Sequence, residues 1–220
     1  MNPSRIAAAV AAVLALSLAP TYAAASPQPS APSADAVVNS LVARMEAVAG
    51  YKAHIRVDLQ MHSFPWLATT LDGSTTYQRP GRYTVTFNSV PSLASAFQKV
   101  SGDIGDPAAW RDKYDVALDS STPAHSGEAV LRLTEKVRGQ IDHALAFVDL
   151  SSATVSRMQW YYYSGGRISM EQHFTPIDGV LLVDHQTADI DMPGYQATAQ
   201  AVFDGYNVQV TMNLVPTAAR

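Results

Sequence analysis

Cysteine is absent from the 220 residues. That excludes disulfides, thiolate zinc sites, iron–sulfur ligation, a cysteine nucleophile and a lipid-modified N-terminal cysteine. Charge is scarce too: Asp, Glu, Lys and Arg make up 15% of the chain, and 15 Lys+Arg against 19 Asp+Glu leave a net charge of -4. A nucleic-acid binder needs a basic face, which this balance does not supply. No Gly-x-Ser-x-Gly elbow, HExxH helix, P-loop or GxGxxG occurs, so neither an enzyme nor a cofactor is expected. The six histidines are His54, His62, His125, His143, His173 and His185, and none stands at the i, i+4 spacing of a helical metal site. His54 and His62 share a strand face but lie about 27 Å apart at strand rise. No metal site is expected. Asp184-His185 and Asp189-x-Asp191 read as solvated strand faces rather than acid–base machinery.

Among what is there, the first residues read as an address. Arg5 precedes Ile6–Ala19, an apolar run of 14 residues, and Pro20 then leads to the small-residue site Ala23-Ala24-Ala25. This is the pattern of a secretory signal peptide over residues 1–25, cleaved after Ala25. The run falls short of the ~20 residues that span a bilayer. A single arginine favours the general secretory route, so a periplasmic location is expected. Residues 26–33 (SPQPSAPS) alternate proline with small polar residues and read as a tether. The folded domain is then 34–220. With 47% hydrophobic residues it can bury a substantial core, and no later segment approaches a membrane-spanning length.

One helix comes first. Ser33 is its N-cap, Asp35 lies in its first turn, and Val37, Val38, Leu41, Val42, Met45 and Val48 mark one face. The 3.6-residue period predicts an amphipathic helix over 36–48, stopped by Gly50. The period then changes to two: Ala53, Ile55, Val57, Leu59 and Met61 alternate with polar residues, as in a strand with one buried face. Further strands are predicted at 67–77, 82–88, 114–120, 128–137, 144–150, 155–164, 167–175, 180–188, 195–203 and 206–212. Gly165-Gly166 and Asp204-Gly205 carry hairpin signals. Between the third and fourth strands, Leu93, Phe97 and Val100 suggest a helical stretch, and Asp106-Pro107 opens another that contains Trp110. About eleven strands joined by short turns pair antiparallel and curl. The expected class is mainly β with helices (α+β), an unclosed antiparallel half-barrel whose helices cover the concave face.

In order and pattern the chain resembles the broad branch of the LolA/LolB-like family of outer-membrane lipoprotein sorting proteins. The resemblance rests on Gly73-x-x-x-Tyr77-x-Arg79-Pro80-x-x-Tyr83 after the long strand, and on Val155–Tyr161 running into Gly165-Gly166. It continues through Ile177-Asp178-Gly179 and Ala188-Asp189-Ile190 to Pro193, and covers most of Asp35–Val210. It implies a cavity for lipoprotein acyl chains, exchange with membrane-bound donor and acceptor proteins, and Arg79 as a latch on the lid helices.

A carrier needs enclosed apolar area rather than a catalytic group. Burial is worth about 0.8 kcal/mol per CH₂, so a chain of ~16 carbons brings on the order of 12 kcal/mol before ordering costs. The candidate lining is Ile55, Val57, Leu59, Trp66, Leu71, Tyr83, Val85, Phe87, Leu93, Phe97, Trp110, Trp160, Tyr162 and Phe174. Taken one by one, such residues are as readily explained by a filled core. The expected protein is a monomeric, non-enzymatic carrier of lipid or lipoprotein acyl chains. The rival readings are an envelope sensor on the same fold that binds a membrane-anchored regulator, and a hydrolase with an unrecognised site.

Overall fold

The computed structural model describes residues 32–46, 48–63, 66–79, 82–88 and 107–210. The expected leader 1–25, most of the tether, Leu93, Phe97, Pro80 and Asp106 lie outside the described residues.

Helix α1 spans Ala34–Glu46. The Ser33 hydroxyl accepts from the Ala36 N–H at 3.2 Å, satisfying one of the donors that a helix start leaves open. Val37, Val38 and Leu41 are its buried residues. The helix ends earlier than its apolar period suggests, because Val48 already belongs to strand β1 (Val48–Met61). Gly50 is therefore a strand residue and not the helix stop. A Cβ there would sit 2.9 Å from the Tyr77 carbonyl oxygen, so the glycine serves close strand approach.

Nine more strands follow: β2 (Ala68–Gln78), β3 (Arg82–Phe87), β4 (Tyr114–Leu118), β5 (Glu128–Glu135), β6 (Ile141–Asp149), β7 (Thr154–Tyr162), β8 (Arg167–Ile177), β9 (Val180–Met192) and β10 (Tyr195–Val210). A 3₁₀ turn at Pro107–Ala109 and a four-residue helix α2 (Trp110–Lys113) precede β4. Among the described residues there are thus ten strands, because the last two expected strands are one. Asp204-Gly205 does not turn the chain: Lys52 faces Asn207 while His54 faces Asp204, so β10 holds one extra residue there. Gly205 takes φ 59°, the left-handed geometry of a glycine bulge. The same dipeptide chemistry that makes a hairpin makes this bulge. Gly165, with φ 88°, does close the β7–β8 hairpin as expected.

The strands form one antiparallel sheet in the order β3-β2-β1-β10-β9-β8-β7-β6-β5-β4. Strands β3 and β4, consecutive in the chain, stand at opposite edges, so the sheet is open. Ten strands laid flat would measure about 43 Å across. Yet Phe87 of β3, Tyr114 of β4 and Val37, Val38 and Leu41 of α1 share one apolar cluster. A helix about 20 Å long bridges those edges only if the sheet curls around it. The floor beneath α1 is low because Ala144 and Ala146 of β6, Ala188 of β9 and Ala199 and Ala201 of β10 are all buried there. Trp110 and Trp160 fill the remaining depth, both at 0% exposure. No helix of the described residues is long and apolar enough to cross a membrane.

Candidate functional site

Three arginines fasten α1. Arg44, on the helix, donates Nη1 to the Leu181 carbonyl of β9 at 2.7 Å. Arg79, just past β2, donates Nη1 to the Glu46 carbonyl at 2.6 Å, on the last turn of α1, where unpaired carbonyls favour a cation. Arg111 of α2 reaches the Asp35 carboxylate at 3.2 Å and the Asn39 side chain at 2.8 Å. The helix is thus an apolar stripe seated on the sheet, with polar fastenings at its start, its third turn and its end.

Under its C-terminal half lies a cavity of about 50 Å³, lined by Leu41, Arg44, Met45, Tyr51, Tyr83, Pro107, Val155, Gln172, Phe174, Leu181, Leu182, Val183, Phe203 and Tyr206. Cross-strand register builds its aromatic side: Tyr51 of β1 faces Tyr77 of β2, and Tyr77 faces Tyr83 of β3. The Tyr51 and Tyr77 rings stack at 5.5 Å, and Tyr206 tilts against Tyr51 at the same distance. Burial raises the hydroxyls of Tyr51, Tyr83 and Tyr206 above the usual tyrosine range, so they stay neutral. The Tyr206 hydroxyl donates to the Val183 carbonyl. Burial also lowers the Arg44 guanidinium from its ordinary value, although it stays charged. Its Nε has no partner among the described residues, and its plane lies 5.5 Å from the Phe174 ring centroid. A partly unpaired cation facing an aromatic, apolar hollow attracts an anionic group.

Of the expected lining residues, Tyr83 and Phe174 reach this cavity. Ile55, Val57, Leu71, Phe87, Trp110 and Trp160 belong to the close-packed core under α1. Leu59, Val85 and Tyr162 are half-buried against that core. Trp66 lies between β1 and β2, 77% exposed, apart from the others. Arg44, Tyr51 and Tyr206 escaped the sequence reading. One signal for Arg44 was available: it stands seven residues after Val37 and three after Leu41, a cation on the buried stripe. Two larger hollows, of about 570 Å³ by Lys52, Thr76 and Asn207 and about 360 Å³ by Asp58, Thr70 and Thr198, are open grooves of mixed lining.

The fold recurs in known structures. A DUF1329 family protein from Desulfovibrio piger superposes with a TM-score of 0.60 at 11% identity, over 80% of this chain and 93% of that one. A domain described as an outer membrane lipoprotein-sorting protein, from Vibrio parahaemolyticus, gives 0.58 at 10% identity, over 79% and 91%. A LolA superfamily protein from Nitrosomonas europaea gives 0.53 at 13% identity, over 81% and 94%. The fold is LolA-like. No protein-family profile matches the chain, and no curated protein matches its sequence. Among the described residues, the hollow under α1 brings apolar side chains together with the partly unpartnered Arg44.

Proposed function

We propose that this chain is a non-enzymatic periplasmic carrier that encloses the acyl chain of a lipid or lipoprotein and, where the lipid carries an anionic group, takes it at Arg44. The observation that carries the reading is the seat of α1: an apolar helix over an apolar concave face, fastened by arginine hydrogen bonds and lying above a cavity that already holds Arg44 and Phe174. The cavity, at about 50 Å³, is too small for a fatty chain; about 150 Å³ is what one benzene fills. Cargo therefore enters by lifting α1, and the chain takes over the contacts that Val37, Val38 and Leu41 make with the sheet. Acyl burial of on the order of 12 kcal/mol for ~16 carbons is ample to offset that exchange. Membrane-bound donor and acceptor proteins would then be the partners that load and unload it.

The test is gentle purification followed by native mass spectrometry, with displacement of an apolar fluorescent dye by fatty acid. A co-purifying lipid mass, and dye displaced at one equivalent per chain, are the expected results. A protein that carries no lipid and offers the dye no saturable site is not a carrier.

A further inference from the structure

The β8–β9 hairpin gathers three metal-ligating side chains away from the lining of the cavity. His173 and His185 are register partners on adjacent strands. The next pair is Phe174 with Val183, so Asp184 is the extra residue of a β-bulge. A bulge re-aims side chains, and this one sets the Asp184 carboxylate beside both imidazoles. Its Oδ1 lies 2.6 Å from His173 Nδ1 and its Oδ2 lies 3.2 Å from His185 Nδ1. The two rings stand edge to face, with centroids 6.3 Å apart. One ligand atom from each of the three residues falls within 4.8 Å of the others, and no other such group of His, Asp and Glu occurs among the described residues.

We propose that His173, Asp184 and His185 form a binding site for a divalent first-row transition metal, zinc or copper. Two imidazoles and one carboxylate suit those ions, whereas magnesium and calcium take oxygen ligands. Bonds of about 2.0–2.2 Å set tetrahedral donors roughly 3.4 Å apart, so the donors rearrange as the ion enters and the Asp184 oxygen backs off from its 2.6 Å contact with His173 Nδ1. The rings have the freedom to do this, since the His173 and His185 side chains are 73% and 60% exposed. In the free protein Asp184 accepts a hydrogen bond from His173 Nδ1 and lies 3.2 Å from His185 Nδ1. Coordination at Nδ1 uses the neutral imidazole with its proton at Nε2. Three protein ligands leave the remaining positions to water or a small anion. The metal would also clamp β8 to β9 immediately beside Phe174 and Val183, which line the cavity.

The test uses protein free of any histidine tag, titrated with ZnCl₂ by calorimetry and loaded with Cu²⁺ for electron paramagnetic resonance. One zinc equivalent per chain is expected, and a copper spectrum split by two imidazole nitrogens. His173→Ala and His185→Ala should each weaken zinc about tenfold or more and reduce the coupled nitrogens to one. His54→Ala, in the separate His54–Asp72–Asp204 group, should leave both readouts unchanged. If either histidine variant loses its circular dichroism, Asp184→Asn supplies the same comparison at nearly constant shape. The absence of a saturable zinc equivalent, or one that survives both histidine substitutions, overturns the assignment.

Discussion

Arg44→Met separates the role of the cation from that of the helix that carries it. Methionine keeps an unbranched apolar stem but removes the charge. The substitution forfeits the hydrogen bond to the Leu181 carbonyl at 2.7 Å, worth about 1.5–3 kcal/mol for a charged donor. It also relieves the cost of holding a guanidinium in a lined hollow with its Nε unpartnered, a cost of several kcal/mol when burial is deep. The two nearly cancel, so stability should move by no more than about 2 kcal/mol in either direction and the fold should survive. Ligand choice should change much more. Two unit charges 4 Å apart attract by about 4 kcal/mol at the effective dielectric of a protein surface. If a third of that outlasts the desolvation of an incoming carboxylate, the remaining ~1.4 kcal/mol is tenfold in affinity. The assay is dye displacement by hexadecanoic acid against hexadecanol, which share a tail and differ in charge. The native protein should favour the acid about tenfold or more, and the variant should bind both alike at the affinity of the alcohol. Equal binding of acid and alcohol by the native protein, or an equal loss of both in the variant, refutes the role given to Arg44.

Three further outcomes follow from the geometry. Gly73→Ala places a Cβ 2.2 Å from the Thr86 carbonyl oxygen and 2.8 Å from Phe87 Cδ1; strand β3 must shift, and a loss on the order of 3 kcal/mol is expected in urea unfolding. Arg79→Ala removes the bond to the Glu46 carbonyl and about 1 kcal/mol of hold on α1, so amide exchange over Ala34–Glu46 should rise about fivefold, with β5–β7 unchanged. Hydrogen bonds from the Ser121 side chain hold the Asp119 carboxyl low, and those from the Ser151 side chain do the same for Asp149. Because the folded state binds protons less readily than the unfolded chain, this stability is complete above about pH 4 and drains away as the pH falls further. Asp149→Asn should flatten the slope of the urea midpoint between pH 5 and pH 3, and an unchanged slope counts against the turn.

Much of the architecture was readable because single periods dominate it. The strict alternation from Ala53 to Met61 can only be a half-buried strand, and it lies inside the 14 residues of β1. The Ser33 cap and the buried stripe of α1 were legible for the same reason. Glycine was harder, because its meaning depends on what lies across from it. Gly50 looked like a helix stop until the Tyr77 carbonyl was placed against it, and Asp204-Gly205 has the chemistry of a turn whether or not the strand continues. The His173–Asp184–His185 group was invisible to a search along the chain, since the two histidines are 12 residues apart. A hairpin folded strictly at Asp178-Gly179 would set His173 opposite Asp184 and turn His185 to the other face. The bulge that pairs His173 with His185 comes only from the structure. The cavity was partly hidden for a similar reason: Tyr51, Tyr77 and Tyr83 meet only through strand register.

The sheet order also constrains how the molecule comes into being. Strand β1 finds one of its two partners in β10, so an interior seam joins the earliest described strand to the latest. Contacts of such high sequence separation make folding slow, because a long loop must close before they reward it. A chain delivered end first, from a ribosome or through a membrane pore, leaves β1 one-sided until the final strand emerges. Premature collapse then has little to gain, and a cut that removed β10 would part β1–β3 from the other six strands rather than trim an edge.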